Sequence, residues 1–203
     1  MLHLIFTKFI MFFTVIDPIG TIPVFIAITA KSSTAKKLVI AKKAALTAAG
    51  VLLFFTIAGE IILNVINIPL SNFQIAGGIV LFLFALTMIF GESKPEEEIS
   101  HIDNQEDKAV FPLAIPSLAS PGAILAVMLL TEKNKYSFQE QLVTVVVMLS
   151  VVAIAGLLMV FSTKIFKYIG NSGAAIISRV MGLILSAVAV HNVLEGLTEY
   201  LTK

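Results

Sequence analysis

The sequence contains no cysteine and no tryptophan, and only 13% of its 203 residues are charged. Without cysteine the chain can form no disulfide, no cysteine-ligated metal centre and no thiol nucleophile. Its formal net charge of +1 gives no support for nucleic-acid binding, which depends on a basic face. The small charged fraction also excludes an ordinary soluble domain, since about a quarter of the residues of such a domain are charged.

Apolar residues dominate instead: they make up 58% of the chain, and its mean hydropathy is +0.98. Six apolar stretches recur, each long enough to cross a hydrocarbon core of about 30 Å as a helix. They do not alternate apolar and polar residues, as the strands of a membrane barrel would. We therefore predict an all-α polytopic membrane protein embedded in the lipid bilayer. The six predicted transmembrane helices lie near residues 4–30, 44–67, 70–91, 110–131, 141–165 and 175–200.

Lysine and arginine set the predicted orientation, because cytoplasmic loops carry an excess of these residues. Ten of the fourteen lie in the first, third and fifth connections, and four lie on the opposite side. Both termini are therefore expected outside, and the acidic connection is expected in the cytoplasm. The apolar N-terminus lacks the basic region and cleavage pattern of a signal peptide, so we interpret it as mature protein. The sequence leaves the oligomeric state open.

Two landmarks recur at almost the same spacing along the chain. Pro121 follows Pro18 by 103 positions, and Gly182 follows Gly78 by 104 positions. The chain is therefore predicted to consist of two three-helix repeats joined by an acidic loop. Because three is an odd number of crossings, the second repeat lies upside down relative to the first, which is typical of secondary transporters. The predicted boundaries are 1–91 for the first repeat, 92–109 for the loop and 110–203 for the second repeat.

Proline and glycine are concentrated in the middle of the first and fourth spans, where residues 17–23 and 116–122 each contain two prolines and one glycine. Because proline lacks an amide hydrogen and clashes with the preceding turn, both helices are predicted to break there. Each break leaves a helix N-terminus with free amide groups and a positive dipole end. In inverted repeats these two N-termini face each other near the membrane midplane, which suits a carboxylate or another small anion.

A small zwitterion is therefore the predicted substrate, with its carboxylate at the helix N-termini and its ammonium group at Asp17. The other interpretation is structural: the prolines only kink the helices, and Asp17 caps the half-helix that begins after Pro18. The residues predicted to bind the substrate are Asp17, Pro18, Gly20, Thr21, Ser117, Ser120, Pro121 and Gly122.

Further polar residues within the spans are candidates for coupling transport to a proton or a sodium ion. They are Glu60, His191 and Asn192, together with Asp17. The structural alternatives are an interfacial Glu60 and a neutral His191 that hydrogen-bonds between helices. No phosphate-binding glycine loop or metal-ligand motif is present, so we expect no cofactor besides a coupling ion. No catalytic constellation is visible, so we expect a protein that is not an enzyme.

Several stretches resemble the MarC family of bacterial inner-membrane proteins, which lies near the LysE-type exporters. They are Asp17-Pro18-Ile19-Gly20, the segment IAGGIVLF at 75–82, and FPLAIP at 111–116 followed by Ser120-Pro121-Gly122-Ala123-Ile124. The resemblance covers essentially the full chain. It implies a six-span fold, a bacterial inner-membrane location and transport of small neutral amino acids. Where this chain has Thr21, Gln74, Thr87 and Ser120, family members often have Asn, Arg, an acidic residue and Gly, respectively.

The sequence and the resemblance together predict a secondary transporter or exporter of small neutral amino acids that works by alternating access. The alternative is a membrane scaffold or assembly factor without transport, in which the broken helices are structural kinks.

Overall fold

The computed structural model describes residues 2–90 and 109–202, and every regular element in these two ranges is helical. The predicted acidic loop at 92–109 lies almost entirely outside the described residues. The helices, in chain order, are α1 (Leu2–Ile16), α2 (Thr21–Ile28), α3 (Thr34–Val65), α4 (Leu70–Phe90), α5 (Val110–Leu118), α6 (Pro121–Leu130) and α7 (Phe138–Leu201).

Five helical stretches are long and apolar enough to cross a membrane, and the bent pair α5–α6 makes a sixth if it is one span. Helices α1 and α2 together form one stretch of 27 residues. Helix α7 supplies two, its first arm (Phe138–Ile165) and its second arm (Ala175–Leu201). The arms are separated by a kink at Gly170, whose φ of +64° is in the left-handed region that glycine tolerates. The described residues therefore confirm an all-helical, multi-pass protein.

Helix α3 begins at Thr34 rather than near residue 44, so the lysine-rich segment before the second span is mostly helical. Ser33 precedes the helix with extended backbone, and its side chain accepts a hydrogen bond from the amide of Lys36. Serine is favoured there because it satisfies an amide that the helix leaves free. The alanine and lysine residues that follow have strong helix propensity. The predicted boundary was wrong because hydropathy marks the membrane-spanning part and not the whole helix.

Helix α5 is irregular because of its two prolines. Phe111 and Ile115, which precede Pro112 and Pro116, have extended backbone, with φ of −123° and −132°. The residue before a proline is pushed out of the helical region by the proline ring. Helix α6 follows at an angle of 49° to α5.

The first span lies at the centre of the bundle. Its apolar window is 61% buried, whereas the windows of α3 and of the second arm of α7 are each 22% buried. Small residues bring the surrounding helices close together: Ala44 and Ala48 of α3 are fully buried, and Gly78 and Gly182 lie where α4 packs on the second arm of α7. Such residues let membrane helices approach closely. The outer helices thus enclose the span that carries Asp17.

Candidate functional site

The first interruption, residues 17–20, separates α1 from α2. Asp17 has a φ of +49°, in the left-handed region that aspartate and asparagine adopt more readily than most residues. Its carboxylate Oδ1 accepts a hydrogen bond from the amide of Gly20 at 3.0 Å. Its carbonyl oxygen accepts one from the hydroxyl of Thr21 at 3.1 Å. Asp17 therefore holds the turn that leads into α2, through its side chain and its backbone together.

The second interruption, residues 119–120, separates α5 from α6. Ser120 has extended backbone, and its Oγ accepts a hydrogen bond from the amide of Ala123 at 3.1 Å. Pro121 occupies the first turn of α6, where its missing amide hydrogen costs nothing. The same Ser120 hydroxyl donates to the carbonyl oxygen of Val15, 2.8 Å away, in the last turn of α1. This bond joins the second interruption to the end of α1, two residues before the first interruption and more than a hundred residues away in sequence.

The predicted binding residues are closely packed. The side chains of Asp17, Thr21, Ser117 and Ser120 are all at least 98% buried, and Pro18 is buried as well, whereas Pro121 is exposed. There is no space for a side chain at either glycine. A Cβ atom at Gly20 would fall on the carboxylate of Asp17, and one at Gly122 would fall on the Cδ1 atom of Leu81. The structure therefore buries both interruptions and leaves no open space beside either glycine.

Of the predicted ion-coupling residues, only Asp17 is part of these packed interruptions. Glu60 is half-buried on α3. The side chain of His191 is 75% exposed, and its Nε2 lies 3.8 Å from an oxygen of Glu195. Asn192 is only 4% exposed. Within residues 2–90 and 109–202, no group of three or more His, Cys, Asp or Glu side chains could hold a metal ion.

His191 and Asn192 lie instead on a separate polar cleft with a volume of about 210 Å³. We use "polar cleft" for the space lined by Met11, Gln74, Leu129, Leu130, Glu132, Lys135, Tyr136, His191, Asn192, Glu195 and Glu199. Glu195 is at the centre of its polar network, because it accepts a hydrogen bond from Nε2 of Gln74 at 2.9 Å and one from Nζ of Lys135 at 3.2 Å. Three separate segments, α4, the α6–α7 loop and the second arm of α7, therefore meet at one carboxylate.

The charge on Lys135 is stabilised by this contact. Partial burial of the ammonium group acts to lower the pKa of Lys135, but the hydrogen bond and the negative charge of Glu195 outweigh it. The pKa of Lys135 is therefore raised above its ordinary value, which favours the charged ammonium form.

Lys8 is a functional candidate that sequence reasoning missed, because it entered only the count of four basic residues on the outer side. It is 2% exposed, and its ammonium group donates to the carbonyl oxygen of Glu140 at 3.0 Å and to the hydroxyl of Thr144. The ring of Tyr136 lies 4.9 Å from the same nitrogen, within the range of a cation–π interaction. The available signal was a lysine inside an otherwise apolar span, where ionisable residues are rare and paired.

These features define a multi-pass helical membrane protein in which the junction between α5 and α6 is hydrogen-bonded to the end of α1 in a buried centre. The sequence matches a family model described as MarC family integral membrane protein over residues 2–201, so the chain belongs to the MarC family.

Relatives of similar length occur in archaea and bacteria. An UPF0056 membrane protein of Methanocaldococcus jannaschii is 35% identical over 188 residues, which covers 91% of each chain. One of Archaeoglobus fulgidus is 34% identical over 206 residues, covering 98% of this chain and 95% of the relative. UPF0056 membrane protein YvbG of Bacillus subtilis is 31% identical over 93% of this chain and 92% of its own. No solved structure matches the chain.

Proposed function

We propose that this protein is a secondary transporter or exporter of small neutral amino acids, working by alternating access of two inverted three-helix repeats. The observation that carries the proposal is the hydrogen bond from Ser120 to the carbonyl oxygen of Val15. It brings an interrupted helix from each repeat into contact within the buried centre, and paired interruptions of this kind form the substrate sites of many transporters.

The packing of α4 on the second arm of α7 supports the inverted repeat. A side chain at Gly78 would meet the carbonyl oxygen of Ala189, and one at Gly182 would meet that of Ala85. Gly78 and Gly182 differ by 104 positions, and so do Ala85 and Ala189. Gly78 of α4 thus faces Ala189 of α7, and its equivalent Gly182 of α7 faces Ala85 of α4, the equivalent of Ala189. A two-fold axis produces this reciprocal pairing in a self-complementary interface.

The two interruptions support the inverted repeat independently of the packing of α4 on α7. The Asp17 side chain binds the amide of Gly20, and the Ser120 side chain binds the amide of Ala123. Each bond spans three residues, and the two bonds lie 103 positions apart. The helix packing is also crossed, because α1 contacts α6 while α2 contacts α5. A two-fold axis that exchanges α1 with α5 and α2 with α6 generates this pattern.

The close packing fits an occluded state between the two open ones. The α6 N-terminus carries the positive end of a helix dipole, which favours a substrate carboxylate. The carboxylate of Asp17 is the complementary group for an ammonium ion. Because Leu81 fills the space beside Gly122, the substrate enters only when α4 moves away from α6. A site confined by two glycines selects small side chains such as those of glycine, alanine or serine. A proton or a sodium ion supplies the driving force.

The test is counterflow of labelled alanine into vesicles that contain the purified protein and unlabelled alanine. Gly122→Leu fills the space between α6 and α4, so exchange is expected to fall to the level of empty vesicles while insertion is preserved. Gly50→Leu is the matched control, because no heavy atom lies within 4 Å of a Cβ at that position. It should exchange alanine at the rate of the unmodified protein.

The second candidate function is a membrane scaffold without transport, and the observation that favours it is the dense packing around both glycines. The same measurement decides between the two. No exchange of any labelled amino acid by the unmodified protein under proton and sodium gradients overturns the transporter and supports the scaffold. Full exchange in Gly122→Leu overturns the placement of the substrate beside Gly122.

A further inference from the structure

The polar cleft is a second place where this molecule can hold a small charged ligand. We propose that it binds the primary ammonium group of an amine or amino acid on the carboxylate of Glu195, displacing the side chain of Lys135. That the bound molecule then passes to the interruptions rests on the proposed function; the binding itself does not.

The contact between Lys135 and Glu195 has the form of an ammonium ligand attached to the protein. Nζ of Lys135 lies 3.2 Å from Oε1 of Glu195, and the lysine side chain is 52% exposed. Lys135 belongs to the loop between α6 and α7, so its long side chain can leave the carboxylate without disturbing a helix. A free ammonium group has the same charge and the same hydrogen-bond donors. It can therefore occupy the position that Nζ of Lys135 holds in the structure.

The carboxylate of Glu195, which would accept the ammonium group, is held on its other side by Gln74. Gln74 is 4% exposed, and its Nε2 donates to Oε2 of Glu195 at 2.9 Å. This bond leaves Oε1 of Glu195 directed to the exchangeable cation. In addition to His191, the lining of the polar cleft includes the carboxylates of Glu132 and Glu199. These negative charges favour a positively charged ligand over an anion.

Asn192 is the independent sign that the polar cleft takes a ligand. Its side chain is 96% buried on the wall of the cleft, and it makes no hydrogen bond to any other described residue. On the wall of the cleft, the amide of this side chain can donate and accept hydrogen bonds. The carboxylate of an amino acid whose ammonium group lies on Glu195 can accept the amide hydrogens of Asn192. The volume of about 210 Å³ suits a molecule of this size rather than a larger one.

The test is a ligand-observed NMR titration of the purified full-length protein in detergent with ethylamine, alanine and propionate. Ethylamine and alanine are expected to bind and propionate is not, because only the first two carry the ammonium group. Glu195→Gln keeps the acceptor for Gln74 but removes the charge, and it should weaken ethylamine binding by about tenfold or more. Lys164→Gln, which removes a charge from an exposed position outside the cleft lining, is the control and should bind ethylamine unchanged.

Lys135→Met distinguishes a ligand site from a purely structural network of side chains. Because it removes the competing ammonium group, ethylamine should bind roughly three to ten times more tightly. Asn192→Ala should weaken the binding of alanine more than that of ethylamine, because only alanine has a carboxylate for the amide. Binding of propionate equal to that of ethylamine, or a Lys135→Met protein with unchanged or weaker ethylamine binding, overturns the proposal.

The outcome is separable from that of the proposed function. If ethylamine binds with these responses but alanine is never exchanged across vesicles, the polar cleft is a binding site and the transporter is wrong. If alanine is exchanged while ethylamine does not bind, the transporter stands and the polar cleft is not a site. Circular dichroism of each variant through thermal unfolding identifies any variant that has simply lost its fold.

Discussion

In both interruptions a side-chain oxygen accepts a hydrogen bond from the amide three residues later, but the side chains differ in chemistry. In the first, a carboxylate holds the amide of Gly20, and the chain stays within one nearly continuous span. In the second, the neutral hydroxyl of Ser120 holds the amide of Ala123 and also reaches Val15, and the chain bends by 49°. The first interruption therefore has a hydrogen bond within its own turn, whereas the second also has one to the end of α1. Substitutions in the two interruptions should therefore change the stability of the protein by different amounts.

The largest difference is expected at the glycines. In Gly20→Ala the new methyl group falls on the Asp17 carboxylate, which cannot move away without breaking its bond to the Gly20 amide. In Gly122→Ala it meets only the terminal methyl group of Leu81, which can rotate. Overpacking costs about 1–3 kcal/mol, so we expect Gly20→Ala at the upper end of that range and Gly122→Ala at the lower end.

Thermal unfolding in detergent, followed by circular dichroism, measures this order. Gly50→Ala is the control, because it adds a methyl group in open space and replaces a helical glycine by a better helix former. It should unfold at the same temperature as the unmodified protein or slightly higher. Equal losses for Gly20→Ala and Gly122→Ala would contradict the difference between a fixed and a movable neighbour.

Proline and glycine act on the backbone within a few residues of themselves, so the sequence points to the neighbourhoods where the structure ends α1 and α5. The matching spacings of Pro18 and Pro121 and of Gly78 and Gly182 predict the inverted repeat, which stays a prediction. The bond between Ser120 and Val15 was not predictable, since nothing local in either segment determines which carbonyl group a serine will meet 105 positions away.

The polar cleft could not be predicted from the sequence for the same reason. Glu195 lies near the end of the sixth predicted span, where a carboxylate is ordinarily solvated, yet it accepts hydrogen bonds from Gln74 and Lys135, 121 and 60 positions away. Hydropathy ranks a residue by its side chain alone, and these contacts depend on which helix ends the bundle brings together. Lys8, buried against Thr144 across 136 positions, was missed on the same grounds.

A smaller loss is expected when the bond between the interruptions is removed. Ser120→Ala loses the acceptor for the Ala123 amide and the donor to Val15, so it should lower the free energy of unfolding by about 1–2 kcal/mol. Ser150→Ala is the matched control, because that exposed hydroxyl bonds only to its own helix, at Val146. If urea titrations in mixed micelles give equal midpoints for the two variants, the second interruption is held by packing and not by this serine.

The smallest effect on stability is expected for Asp17→Asn, and it separates the two interpretations of the first interruption. Asparagine adopts the left-handed conformation as readily as aspartate and keeps an oxygen for the Gly20 amide. The unfolding temperature should therefore stay close to that of the unmodified protein. Counterflow of labelled alanine should nevertheless be lost, because the neutral amide no longer attracts an ammonium group. If exchange persists in a stable Asp17→Asn protein, Asp17 serves only to hold its turn, as Ser120 does, and the ammonium group is bound elsewhere.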